Sequence, residues 1–104
     1  MKSGIILVVQ LFIQVNKEVE FQQFEREAAQ IMQKYHGQIE KVIRPIHTGQ
    51  RNELPYEVHI VWFPSMEQFE SYRKDPDLAK LADLRQSAIS RTEIIIGQED
   101  NLYP

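Results

Sequence analysis

The chain has 104 residues, 42% of them apolar and 26% charged, which is the size and balance of one globular domain with one modest core. Twelve Lys and Arg against fifteen Asp and Glu leave a net charge of −3, which argues against a nucleic-acid partner that would need a basic stripe. Cysteine is absent, so disulfides, thiolate-bound metals and thiol chemistry are excluded.

Residues 4–15 are rich in β-branched residues, and both alternations are largely apolar. One face is Ile5, Leu7, Val9, Leu11 and Ile13; the other is Ile6, Val8, Gln10, Phe12 and Gln14. That pattern predicts a central strand covered on both sides. The run is too short to span a bilayer, and Gln10 and Gln14 interrupt it with no small-residue cleavage site behind. A strand, no membrane partner and a cytoplasmic location are therefore expected.

Asn16 is a candidate N-cap for a helix running to His36. Phe21, Phe24, Ala28, Ile31 and Tyr35 fall at steps of three and four, one apolar stripe. Glu18, Glu20, Glu25, Arg26, Glu27 and Lys34 fall on the other faces. Gly37 stands where a C-cap glycine is expected. Residues 38–47 read as a strand that Pro45 demotes to an edge. The polar segment Thr48–Leu54 is expected to be a loop between antiparallel strands.

Tyr56 to Phe63 is the strand around which the chain is organised. Tyr56, Val58, Ile60 and Trp62 form a wholly apolar or aromatic set, expected to face the helices. Glu57, His59, Val61 and Phe63 form the opposite set. Pro64 ends the strand, and Ser65 with Gln68 three residues on makes a capping box, so a helix is expected from Met66. Asp75-Pro76 is a second start signal, giving a break near Lys74 and a second helix through about Ala88. A last strand opens at Ser90 or Arg91 and ends at Gly97. Residues 1–97 are thus expected to form one domain, with Gln98–Pro104 as a C-terminal arm.

The order β-α-β-β-α-β in one sheet gives a ferredoxin-like α+β fold: four antiparallel strands, helices on one face, the first and third strands in the middle. The uncovered face would keep half of the first strand's aliphatics, with Val61 and Phe63. A patch of that size calls for burial against a second sheet, most simply in a homodimer.

Several residues sharpen this reading. They are Phe63-Pro64-Ser65 at the strand-to-helix turn, then Tyr72, Asp75-Pro76, Leu78, Arg85, Ala88 and Ile96-Gly97. Tyr35-His36-Gly37 fits more loosely. With these the chain resembles the dimeric α+β barrel superfamily, and within it a small, mostly bacterial family of uncharacterised domains. The resemblance covers nearly the whole chain in topology and mainly residues 61–88 in motif. It implies sheet-to-sheet dimers of ferredoxin-like protomers and no agreed activity. Other branches of the superfamily include cofactor-free monooxygenases, haem-degrading oxygenases and lactone isomerases.

His59 is the best catalytic candidate: a general base in a semi-apolar cavity, or more plainly an interface histidine with a satisfied hydrogen bond. His47 reads as a loop-end residue and His36 as a helix C-terminal one. No histidine pair has metal spacing, so neither metal nor cofactor is expected. Tyr35, Arg44, His59, Trp62 and Arg85 are the candidate ligand-binding residues. Trp62 and Tyr56 would line a cavity under the helices, with Tyr35 or Tyr72 closing it; plain core packing is the alternative. Arg44 and Arg85 could hold an anion, or Arg85 could pair with Asp83, Glu67 or a dimer-mate carboxylate. Ser65 serves as a cap, the glycines are too scattered for a phosphate loop, and the third strand lacks the glycine and basic residue of an RNA-recognition domain. Two functions follow: a homodimer binding a small organic or aromatic molecule, as a cofactor-independent monooxygenase or isomerase would, or a non-catalytic interaction module using the arm and the Thr48–Leu54 loop.

Overall fold

The computed structural model describes residues 3–46, 53–100 and 102–103. His47 and most of the expected Thr48–Leu54 loop lie outside the described residues. Four strands form one antiparallel sheet: β1 (Ile5–Ile13), β2 (Gln38–Ile43), β3 (Glu57–Phe63) and β4 (Ile89–Gly97), in the order β2-β3-β1-β4. The two most apolar strands are central, as their two-sided patterns require. Four helices complete the described residues: α1 (Glu18–Gln33), α2 (Met66–Arg73), α3 (Pro76–Ala79) and α4 (Ala82–Ala88).

The helices pack on one face of the sheet. Leu7, Val61 and Phe63 meet Met32 of α1 and Phe69 of α2 in one buried cluster. Leu11, Phe21, Phe24, Ala28, Ala88 and Ile89 form the second. The buried stripe of α1 is Phe21, Phe24, Ala28 and Met32, so Met32 takes the inward position expected of Ile31.

Two ends of α1 differ from the sequence reading. Asn16 is no cap: it sits at φ 63 in the turn before the helix, a conformation its short amide side chain tolerates. At the other end it is His36 that takes the left-handed position, at φ 63. The His36 N–H donates to the Gln33 carbonyl and the Gly37 N–H to the Met32 carbonyl, a Schellman closure. Gly37 is required for space instead. A Cβ there would stand 2.6 Å from Cε1 of Phe63 and would collide with the Met32 side chain.

The expected cap at Ser65 is present, its hydroxyl accepting from the Gln68 N–H at 3.1 Å. Asp75 caps α3 through the N–H groups of Asp77 and Leu78. The single helix expected from Pro76 to Ala88 is interrupted at Lys80–Leu81. No side chain caps α4, whose first turn hangs on the Arg85 N–H to Leu81 carbonyl bond.

The largest correction concerns β3. The set Glu57, His59, Val61 and Phe63 faces the helices and is buried throughout. Val58, Ile60 and Trp62 point to the open face and are only half-buried. Of the aromatic pair expected under the helices, Tyr56 does reach α1, edge-on to Phe21 at 5.5 Å, but Trp62 does not. The apolar character of the uncovered face survives with different members: Ile6, Val8, Val58, Ile60, Trp62 and Ile95, the last 60% exposed.

Gly37→Ala is expected to destabilise by about 1–3 kcal/mol through overpacking against Phe63. His36→Gly is expected to be neutral or stabilising, because it relieves a left-handed non-glycine residue. Urea unfolding of the two variants checks both.

Candidate functional site

A cavity of about 480 Å³ opens between the helices and the inward face of the sheet. That lies within the range of small-molecule sites. Its floor is apolar and buried: Leu7, Leu11, Met32, Val61, Phe63 and Phe69. Glu25, His59, Tyr72 and Arg85 bring polar groups to its wall. The exposed lining residues Arg73, Ala79, Ala82, Arg85 and Ile94 mark the mouth, on the α3–α4 and β4 side.

His59 lies in β3 directly under the helices and is 4% exposed. A buried polar ring must be paired, and this one has a hydrogen-bonded carboxylate on one side and a second carboxylate nearby on the other. Its Nε2 is 2.5 Å from Glu57 Oε2. Its Nδ1 is 3.6 Å from Glu25 Oε2. Glu57, two residues back on the same strand face, is buried as well. Its second oxygen accepts from Arg44 Nε at 2.8 Å, and that guanidinium lies 4.1 Å over the Tyr56 ring. A chain of four ionisable groups therefore runs from the cavity, through Glu25, His59 and Glu57, to Arg44 at the end of β2.

Glu25 sits at the cavity end of this chain. Burial pushes its carboxyl up to about 7; His59 and Arg85 oppose the shift and the Glu57 charge adds to it. Burial also raises the Tyr72 phenol well above its ordinary value, and the neighbouring Glu25 adds to the rise. Near neutral pH the cavity thus holds a phenolic donor and a carboxyl poised to give or take a proton.

The candidate residues separate in space. His59 and Arg85 line the cavity. Arg44 stands behind Glu57 and outside the cavity wall. Tyr35 also lies outside it: its hydroxyl donates to Asp75 at 2.5 Å, fastening the end of α1 to the start of α3. Lys34 joins the same carboxylate at 3.0 Å. These bonds, the Tyr35 hydroxyl first, hold Asp75 down to about 2. Trp62 is on the opposite sheet face, where its indole N–H donates to the Ser3 carbonyl. Four polar lining residues were not among the candidates: Glu25, Tyr72, Arg73 and Thr92. Tyr72 was expected only to close the cavity. Glu25 was assigned to an outer face of α1, although it lies four residues after Phe21, three before Ala28 and seven before Met32. Among the described residues no three His, Asp or Glu side chains are arranged to hold a metal.

The family description "Domain of unknown function (DUF1330)" matches residues 6–98. The chain belongs to the DUF1330 family. No curated protein matches it. Solved structures share the DUF1330 chain's fold. A protein of unknown function from Rhodopseudomonas palustris superposes with a TM-score of 0.82 at 14% identity, over 97% of this chain and 85% of that one. A dabb family protein with a ferredoxin-like fold from Mesorhizobium loti gives 0.63 at 14% identity, over 95% and 100%. A hydroxynitrile lyase from Passiflora edulis gives 0.74 at 11% identity, over the full length of both chains. The fold of this DUF1330 protein is therefore ferredoxin-like α+β, and some proteins that share it are enzymes.

The raised carboxyl of Glu25 ties stability to pH. Between 4.5 and about 7 the native protein holds this proton while the unfolded chain has released it. The group's contribution is full below 4.5, falls as pH rises to about 7 and is level above. The total change is on the order of 3 kcal/mol. In Glu25→Gln that decline is expected to vanish, leaving the variant more stable than wild type at pH 8. Urea titrations at pH 5 and pH 8 measure the difference.

Proposed function

We propose that the protein is a homodimer whose protomers each bind a small, largely apolar organic molecule under the helices and act on it by cofactor-independent proton transfer. The observation that carries this reading is the convergence of Glu25, His59 and Tyr72 on an apolar cavity. In such a cavity a proton carrier works without competition from bulk water. Glu57 fixes the His59 ring from one side and Arg44 fixes Glu57, so the wall opposite Glu25 is held in place. This is the equipment of an isomerase or lyase, or of an oxygenase that begins by removing a proton from its substrate. The hydroxynitrile lyase on the same fold is in keeping with it. The alternative, an interaction module with its interior filled by side chains, has no comparable observation behind it.

The second copy belongs on the open sheet face. Val58, Ile60 and Trp62 of β3 and Ile6 and Val8 of β1 lie side by side there, half-buried within one chain. Closing two such faces on each other would bury a patch that a lone protomer leaves in water. It would also seat the Trp62 ring between two sheets, on the far side from the cavity. A cytoplasmic location fits the absence of cysteine and is part of the same proposal.

Native mass spectrometry tests both halves. The expected species is a dimer that carries small-molecule mass, with His59→Ala losing the adduct. A protein that stays unliganded on exposure to a panel of small aromatic and aliphatic compounds sinks the ligand reading. Ile60→Glu puts a charge in the middle of the open face and is expected to give a monomer. A monomeric wild type sinks the sheet-to-sheet pairing.

A further inference from the structure

We infer that the cavity selects a small organic anion, with the anionic group on the Arg85 guanidinium at the mouth, the apolar body on the floor, and Glu25 as the proton carrier beside it. This deepens the proposed function and rests on the cavity being a ligand site.

The first observation is the company Arg85 keeps. Its hydrogen bond goes to a neutral partner, Thr92 Oγ1, at 3.2 Å. Among the described residues no carboxylate comes within ion-pair distance of it, Asp83 and Glu67 included. Arg44, Arg73 and Arg91 each have such a carboxylate, at 2.8, 3.1 and 3.2 Å; Arg26 has none either, but it does not line the cavity. A guanidinium fork at the mouth of an apolar chamber, with most of its donors uncommitted to charge, matches a carboxylate or similar planar anion.

The second observation separates Glu25 from His59. Both ring nitrogens of His59 face carboxylates, Nε2 in a hydrogen bond to Glu57 and Nδ1 toward Glu25. The contact with Glu57 commits Nε2 away from a ligand. Glu25 has no partner closer than the 3.6 Å to His59. No sealed side-chain oxygen or nitrogen lacks a partner among the described residues, so the Glu25 oxygens open on the cavity. Glu25 is the group that touches the ligand, and His59 is its positioning residue.

The two observations are linked by charge. Glu25 is faced by His59 and Glu57 from β3, by Tyr72 from α2 and by Arg85 from α4; Arg73 of α2 also lines the cavity but is paired with Glu70 at 3.1 Å, and β4 brings Thr92 and Ile94, which carry no charge. An anion on Arg85 is repelled by ionised Glu25 and favoured by its protonated form. Binding therefore takes up a proton, and the bound anion has an acid at hand.

The test uses fluorescence titration of the full chain with 2-naphthoate and with its neutral counterpart 2-naphthamide. Wild type is expected to bind naphthoate at pH 6 about tenfold or more tightly than the amide, and to lose naphthoate affinity as pH rises above 7, by up to about tenfold per pH unit. Arg85→Gln is expected to erase the preference, and Glu25→Gln to keep naphthoate binding while erasing its pH dependence. Arg85 is exposed and outside the packed clusters, so its variant keeps the fold, which thermal unfolding verifies. Equal binding of the two probes, or a preference that survives in Arg85→Gln, overturns the anion assignment and leaves the cavity reading standing. Naphthoate binding in wild type that does not change between pH 6 and 8.5 overturns the role of Glu25. Failure of both probes to bind removes the cavity reading and this inference together.

Discussion

The hydrogen bond between Glu57 and His59 sets the terms for everything around it. Two ionisable side chains stand on the sheet face that the helices cover, where an unpaired polar group is costly. They are kept there by mutual satisfaction and by Arg44, which reaches Glu57 from the end of β2. On the same inward face His59, Val61 and Phe63 form one wall of the cavity between the sheet and the helices. Glu25 enters it from α1, and the burial of its carboxyl raises its proton affinity. The polar pair, the cavity and the raised acid are three aspects of one packing decision.

The same decision fixes the opposite side of the sheet. Strand residues alternate strictly, so placing Glu57 and His59 inward sends Val58, Ile60 and Trp62 outward. The sheet thus has an apolar outer face and a polar pair set into a mostly apolar inner one. That arrangement is consistent if the outer face meets another sheet and the inner polar groups serve a ligand.

The topology was legible in the sequence because its signals are local. Ser65 and Asp75 cap helices through atoms two or three residues away, and the two-sided apolar runs of β1 and β3 can only be central strands. The direction in which β3 faces was not legible. Both of its alternations end in large apolar residues, so periodicity gives two faces without saying which is up, and the polar pair weighed toward the wrong one. Glu25 was overlooked for a related reason. A charged residue on an amphipathic helix is normally solvated, yet its offsets from Phe21, Ala28 and Met32 place it within the buried stripe. His59 and Arg85 were recognisable as chemistry-bearing residues; that they share a cavity, while Arg44, Tyr35 and Trp62 do not, depends on long-range pairing that no local pattern encodes. At the end of α1 a glycine was read for its backbone freedom when its lack of a side chain was what mattered.

The pairing of β1 with β4 has a consequence for how the molecule is made. Ile6 and Gly97 are register partners roughly ninety positions apart, so one neighbour of the central strand is missing until the end of the described domain is synthesised. A nascent chain holding only β1 to β3 has an apolar strand with a bare hydrogen-bonding edge. During that interval the strand is a template for any other extended segment in reach, including β1 of a neighbouring nascent chain. Arrival of β4 closes the edge, so the last strand to emerge protects the first.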